Sequence, residues 1–120
     1  VVQFLVAHFK LTVEDARANR NNALRQSCAK GHVLVVQFLV THFQLILEDV
    51  RELNNEALRQ CCSNGHLPVL LFLATHFPLT ALDASANRSQ AMCLSSQAGH
   101  NNVVRFLQAH FKLENHWTSI

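Results

Sequence analysis

The chain has 120 residues, 49% of them hydrophobic and 15% charged, with only three glycines and two prolines and a net charge of +2 with neutral histidines. That apolar content suits one packed core and excludes a disordered chain, while the charge is too small to favour nucleic acid as a partner. No apolar run approaches the about 18 residues of a membrane span, so none is expected.

The first segment, "VVQFLVAHF" from Val1, places valine, leucine and phenylalanine at helical spacing. Next, "LTVEDARANR" (Leu11 to Arg20) pairs Thr12 with Asp15 as in a capping box and puts Glu14 and Asp15 in a first turn. A short helix near Val13 to Ala18 is predicted. The following segment is clearest in its second copy, "NEALRQCCSNG" (Asn55 to Gly65), where Ala57, Leu58, Cys61 and Cys62 share one face of a two-to-three-turn helix. Gly65 stands where a left-handed helix cap favours glycine. A more apolar helix then runs from about Leu67 to Phe77, and its counterpart carries Val35, Val36, Leu39, Val40 and Phe43. No alternating strand pattern is present.

These segments recur with a period of 34 residues: Val1 to Leu34, Val35 to Pro68, Val69 to Asn102, and a truncated fourth row from Val103. Rows one and two agree at 20 of 34 positions without a gap, and a period of this length signals stacked repeats. The recurrent columns include Phe38/Phe72/Phe106, His42/His76/His110, Asp15/Asp49/Asp83, Ala23/Ala57/Ala91, Gly31/Gly65/Gly99 and His32/His66/His100. The chain begins inside a row, so the apolar edge at Val1, Val2, Phe4, Leu5 and Val6 is expected to be covered by further repeats or by another chain. Trp117 in the divergent "ENHWTSI" is expected to fold back as a cap.

The string "ALRQCCSNGHLPVLLFL" resembles the ankyrin repeat. Asn22-Ala23-Leu24-Arg25 stands in the place of that family's T-P-L-H, Ser27-Cys28 in the place of its paired alanines, and Gly31-His32, Gly65-His66 and Gly99-His100 match its G-H. Three departures accompany the match: no row spells T-P-L-H, the period is one residue longer, and "LTVEDAR" stands where the family has a β-hairpin finger. The resemblance implies an all-α solenoid of ankyrin-like repeats with a short helix replacing each finger. Its units are a partial repeat over 1–18, repeats over 19–52, 53–86 and 87–112, and a tail over 113–120. A tetratricopeptide-like array shares the period, but its W-x-x-L-G-x-x-Y spelling is missing and the chain has no tyrosine.

Three chemistries compete for the polar columns. Histidines repeated once per row sit about 8–10 Å apart, too far to converge on zinc, so no cofactor or metal is expected. His42 and its copies read as helix-end residues, and His32 and its copies as braces of the turn between helices. Cys28 and Cys62 take a buried small-residue column. Cys93 is the best thiol candidate, with His76 or His100 as conceivable neighbours, but nothing in the spacing brings them together. The repeated aspartates read as caps rather than catalytic acids, so no enzyme is expected. The cysteine spacing shows no disulfide framework and no signal peptide is seen, which points to a reducing intracellular setting.

A non-enzymatic protein-interaction or scaffold module remains. The family's variable positions map to Asn19, Asn21, Ala29 and Lys30, to Leu53, Asn55, Ser63 and Asn64, and to Asn87, Ser89 and Gln97. The adjoining columns Arg25/Arg59/Cys93 and Gln26/Gln60/Leu94 complete the candidate contact set. The Arg25/Arg59 column has two readings, a partner contact or a bridge between repeats. The alternative function is nucleic-acid contact through Arg17, Arg20, Arg25, Arg51, Arg59 and Arg88.

Overall fold

The structure, a computed structural model, describes residues 15 and 17–111, with backbone alone at 87 and 88. Among these residues all regular structure is helical: α1 (Ala18–Lys30), α2 (Val33–His42), α3 (Leu47–Val50), α4 (Glu52–Ser63), α5 (Leu67–His76), α6 (Ala81–Ala84), α7 (Ala86–Gln97) and α8 (Asn101–Phe111). The all-α expectation holds, and the short helices α3 and α6, called fingers below, lie in register with the short helix predicted near Val13 to Ala18. Most of the predicted helix near Val13 to Ala18, the opening segment from Val1 and the tail with Trp117 lie outside the described residues.

Elements one period apart pack together. Helix α4 lies between α1 and α7, and α5 touches both α2 and α8. The core follows the columns, with Leu24, Leu58 and Met92, then Leu39, Leu73 and Leu107, then Ala57 and Ala91 burying the contacts between the rows. Small residues at Ala57 and Ala91, both fully buried, let neighbouring first helices approach closely. At the adjoining column Ser27 and Ser95 spend their hydroxyls on the carbonyls of Ala23 and Ala91, each at 2.6 Å, so a buried polar side chain is satisfied within its own helix.

The helix turn at each glycine is built identically three times. Gly31 N–H donates to Cys28 O and His32 N–H to Ser27 O; Gly65 and His66 donate to Cys62 O and Cys61 O, and Gly99 and His100 to Ser96 O and Ser95 O. With φ of 76°, 77° and 81°, these are the left-handed caps that glycine alone adopts without steric cost. At the fingers, Asp49 accepts the Ile46 N–H and Asp83 the Thr80 N–H, both at 2.8 Å. Thr80 completes a capping box, whereas Ile46 contributes none of its own; the carboxylate half is enough to start α3.

One feature lies at the start of the helix predicted from Asn55 and of its counterpart in row one. Asn19, Arg20 and Asn21 have φ of 55°, 56° and 60°, and Leu53, Asn54 and Asn55 have φ of 56°, 55° and 61°. Each trio is a left-handed turn, closed by Asn21 N–H to Arg17 O and Asn55 N–H to Arg51 O, both 3.0 Å, before right-handed helix resumes. Row three keeps the same closure, Ser89 N–H to Ser85 O at 2.8 Å, with Ser89 at φ 57°. Left-handed geometry costs L-residues about 1–2 kcal/mol each. Asparagine tolerates it best, and Asn fills four of the six positions in the first two turns.

Candidate interaction surface and its supporting network

The finger aspartates do more than cap. Arg17 grips Asp49 with Nε to Oδ1 at 2.8 Å and Nη2 to Oδ2 at 3.0 Å; Arg51 grips Asp83 at 2.7 and 2.9 Å. Asn21 Nδ2 and Asn55 Nδ2 add a third donor to each carboxylate, both at 3.0 Å. Each aspartate is buried. Burial alone would raise their pKa values, but the Arg17, Ile46 N–H and Asn21 hydrogen bonds hold Asp49 below the usual carboxylate range. The Arg51, Thr80 and Asn55 bonds outweigh burial further at Asp83 and bring it to about 2. The carboxylate orients each amide with its nitrogen inward, which leaves Asn21 Oδ1 and Asn55 Oδ1 buried with no donor among the described residues.

A second arginine column holds the left-handed turns. Arg25 donates from Nε to Arg20 O and from Nη2 to Asn19 O, both at 2.9 Å, while Nη1 reaches Glu56 in the next row. Arg59 repeats the pattern on Asn54 O and Leu53 O, both at 2.8 Å, with Nη1 on Gln90. A planar guanidinium suits this task because its fork meets two carbonyls and a third acceptor without bending. Of the two readings of this column, the geometry is that of a bridge: Arg59 is buried and both side chains are fully engaged inside the chain.

The glycine and histidine columns also meet across rows rather than within one turn. A Cβ on Gly31 would lie 2.5 Å from Nδ1 of His66, and one on Gly65 would lie 2.6 Å from Nδ1 of His100. The imidazoles of His66 and His100 thus lie on the glycine of the preceding row, so the turn each one meets is its neighbour's. His42, His76 and His110, at the ends of α2, α5 and α8, stack on the phenylalanine one turn earlier, with ring centroids 4.9, 5.2 and 5.0 Å apart. No group of three or more His, Cys, Asp or Glu among the described residues is placed to hold a metal ion. Burial pushes the Cys28 thiol up to about 12, and a hydrogen bond with Cys62 together with burial raises Cys61.

The candidate contact residues separate into frame and face. Asn21, Asn55 and Arg59 are buried in the network, so their placement on an exposed face is corrected; Arg25, Ala29, Gln60, Ser63, Ser89 and Cys93 are half-buried. Asn64 is exposed, but its Nδ2 ties rows together through Ala29 O at 2.9 Å. Asn19, Gln26, Lys30, Leu53, Leu94 and Gln97 are exposed, and the side chain of Asn87 lies outside the described residues. Four of the six arginines considered for nucleic acid (Arg17, Arg25, Arg51 and Arg59) already hold partners in the chain. The sequence reading missed the exposed leucines Leu34, Leu71 and Leu82, the last 85% exposed, which helical spacing alone assigns to the core. It also missed the Arg17/Arg51 to aspartate tie, whose signal was present as D-x-R in rows one and two.

Comparison with protein-family models, with curated proteins and with solved structures returns no match. No helix among the described residues is long and apolar enough to cross a membrane.

Proposed function

We propose that the chain is a module of ankyrin-like repeats that presents a rigid face of first helices to a protein partner. The observation that carries this is a division of labour along the chain. The framework contacts repeat from seam to seam with nearly the same distances, while the outward columns change: Gln26, Gln60, Leu94 in one, and Lys30, Asn64, Ala98 in the next. A frame that is fixed while its face varies is what selective binding requires, and a face ordered beforehand loses little entropy on docking. The apolar Leu53 and Leu94, each 36% exposed, are the natural anchors on that face.

The test is cross-linked capture from the native source with a Leu53→Asp/Leu94→Asp variant and a Leu34→Asp control on the second-helix side. A specific protein lost with the double variant and retained with the control supports the proposal. No protein distinguishing the two variants, with both shown to be folded by circular dichroism, refutes it. Arg25→Ala and Arg59→Ala are unsuitable here, because they damage the frame.

A further inference from the structure

The row-two turn between helices is the one place in the chain where asparagine precedes glycine, Asn64-Gly65; rows one and three spell it Lys30-Gly31 and Ala98-Gly99. Asn64 stands just past the end of α4, as its C-cap, with φ −95° and ψ 3°, and is exposed to solvent. Its side chain ties two rows together, with Nδ2 donating to Ala29 O at 2.9 Å. The peptide that follows closes the cap: Gly65 N–H donates to Cys62 O at 3.1 Å, and Gly65 takes φ 77°. A side-chain amide carbon and the next backbone nitrogen are thus paired at a helix end, where local opening is easiest. Every other asparagine is followed by a residue that carries a side chain, and Asn21 and Asn55 are also buried. Such side chains crowd the nitrogen that a ring closure needs. Glycine leaves it open and lets its peptide rotate with least hindrance.

We propose that Asn64 is a self-modifying site, whose side-chain amide is converted to a carboxyl by attack of the Gly65 nitrogen. A base in the solvent takes the Gly65 N–H proton. The nitrogen bonds to Asn64 Cγ, the Cγ–Nδ2 bond breaks, and Nδ2 takes up a proton and leaves as ammonia. Water then opens the five-membered imide. Opening at Cγ gives an aspartyl residue; opening at the backbone carbonyl gives an isoaspartyl residue, whose main chain runs through Cβ and Cγ. One water is consumed and one ammonia released, with no change in oxidation state. The fold gates the step. With ψ at 3° the Gly65 nitrogen eclipses the backbone nitrogen of Asn64 instead of its side chain, so the ring closes only once the cap bond to Cys62 O opens and the amide leaves Ala29 O. Both products act on the seams. A carboxylate at 64 has no N–H to give Ala29 O and sets two acceptors face to face. The isoaspartyl form also lengthens the chain next to Gly65, on which the His100 ring lies. The modification loosens row two from both neighbours, and the extent of conversion records the age of the molecule.

The test holds the folded full chain at mildly alkaline pH for days, beside a sample kept in urea, and follows each asparagine by peptide mass spectrometry. Synthetic aspartyl and isoaspartyl peptides identify the products. The expected result is loss of the Asn64 amide before that of any other asparagine, as a pair of isomers, and several-fold faster in urea, where the cap is gone. An Asn64 amide that lasts as long in the folded protein as those of Asn22 and Asn54 overturns the proposal. Equal rates with and without urea overturn the gate. An Asn64→Gln variant, whose longer side chain closes a ring far more slowly, should keep its amide over the same period; undiminished loss there overturns the five-membered ring. Asn64→Asp, which stands for the aspartyl product, should melt below the parent and exchange its amides faster at Lys30 and Gly31. Unchanged melting and exchange overturn the effect on the seam. The time course of the unaltered chain is decisive for the chemistry without any variant.

Discussion

At the scale of single residues, the aspartates and glycines carry consequences that can be measured. The folded pKa of Asp83 is about 2, against about 3.9 for an unconstrained carboxyl. A depressed folded pKa gives stability that is complete above the unfolded value and is lost as pH falls through the folded one. Acidification from about pH 4 to about pH 2 should therefore remove roughly 2 kcal/mol through Asp83, with Asp49 acting in the same direction. Urea midpoints across that range should show the fall, and Asp83→Asn should flatten it while lowering the midpoint at neutral pH. The glycines offer a paired comparison. Gly99→Ala meets open space and carries only the left-handed penalty of about 1–2 kcal/mol. Gly65→Ala carries the same penalty and also collides with the His100 ring. Thermal unfolding should therefore rank Gly65→Ala clearly below Gly99→Ala, and His100→Ala should recover part of the difference; equal melting points would deny the histidine its seat.

At the scale of elements, the arginine-held turns predict where helix stability is local. Arg59→Ala removes both carbonyl contacts of the Leu53–Asn55 turn, at about 1.5–3 kcal/mol for each bond to a charged group. Amide exchange should accelerate at Asn55 to Leu58 more than in α5 or α8; uniform acceleration would mean that the arginine acts on global stability only. The helices themselves were legible beforehand, because Leu58, Cys61 and Cys62 mark a buried face and Gly65 marks its end. The finger helices were legible from Thr80 and Asp83, and even row two's survived the loss of threonine at Ile46, since the carboxylate alone caps it. The left-handed turns were not legible. A run of Asn in "NRNN" or "LNN" permits such a turn but also suits an exposed loop, and the guanidinium of Arg25 or Arg59, brought back from five residues away, is what holds it in rows one and two. Exposure was legible at Gln26, Lys30 and Gln97. Asn21 and Asn55 were misassigned because asparagine looks exposed by composition, whereas here a carboxylate from the next row makes burial favourable.

At the scale of the whole molecule, every bond between side chains of different rows runs the same way among the described residues. Arg17 and Arg25 reach forward to Asp49 and Glu56, and Arg51 and Arg59 reach forward to Asp83 and Gln90. A row thus receives at its aspartate and gives at its arginines, and row three, with Ser85 and Cys93, receives without giving. This one-way grammar determines how such a protein can grow by tandem gene duplication. A second copy of Val35 to Pro68 inserted after the first would give each buried aspartate an arginine from the row before it. A second copy of Val69 to Asn102 would bury another Asp83 with no arginine behind it, at a cost of the several kcal/mol that an unpaired buried carboxylate imposes. The first lengthened protein should melt at or above the parent temperature and the second below it. Of these two rows, the middle one alone is a self-sufficient unit of inheritance.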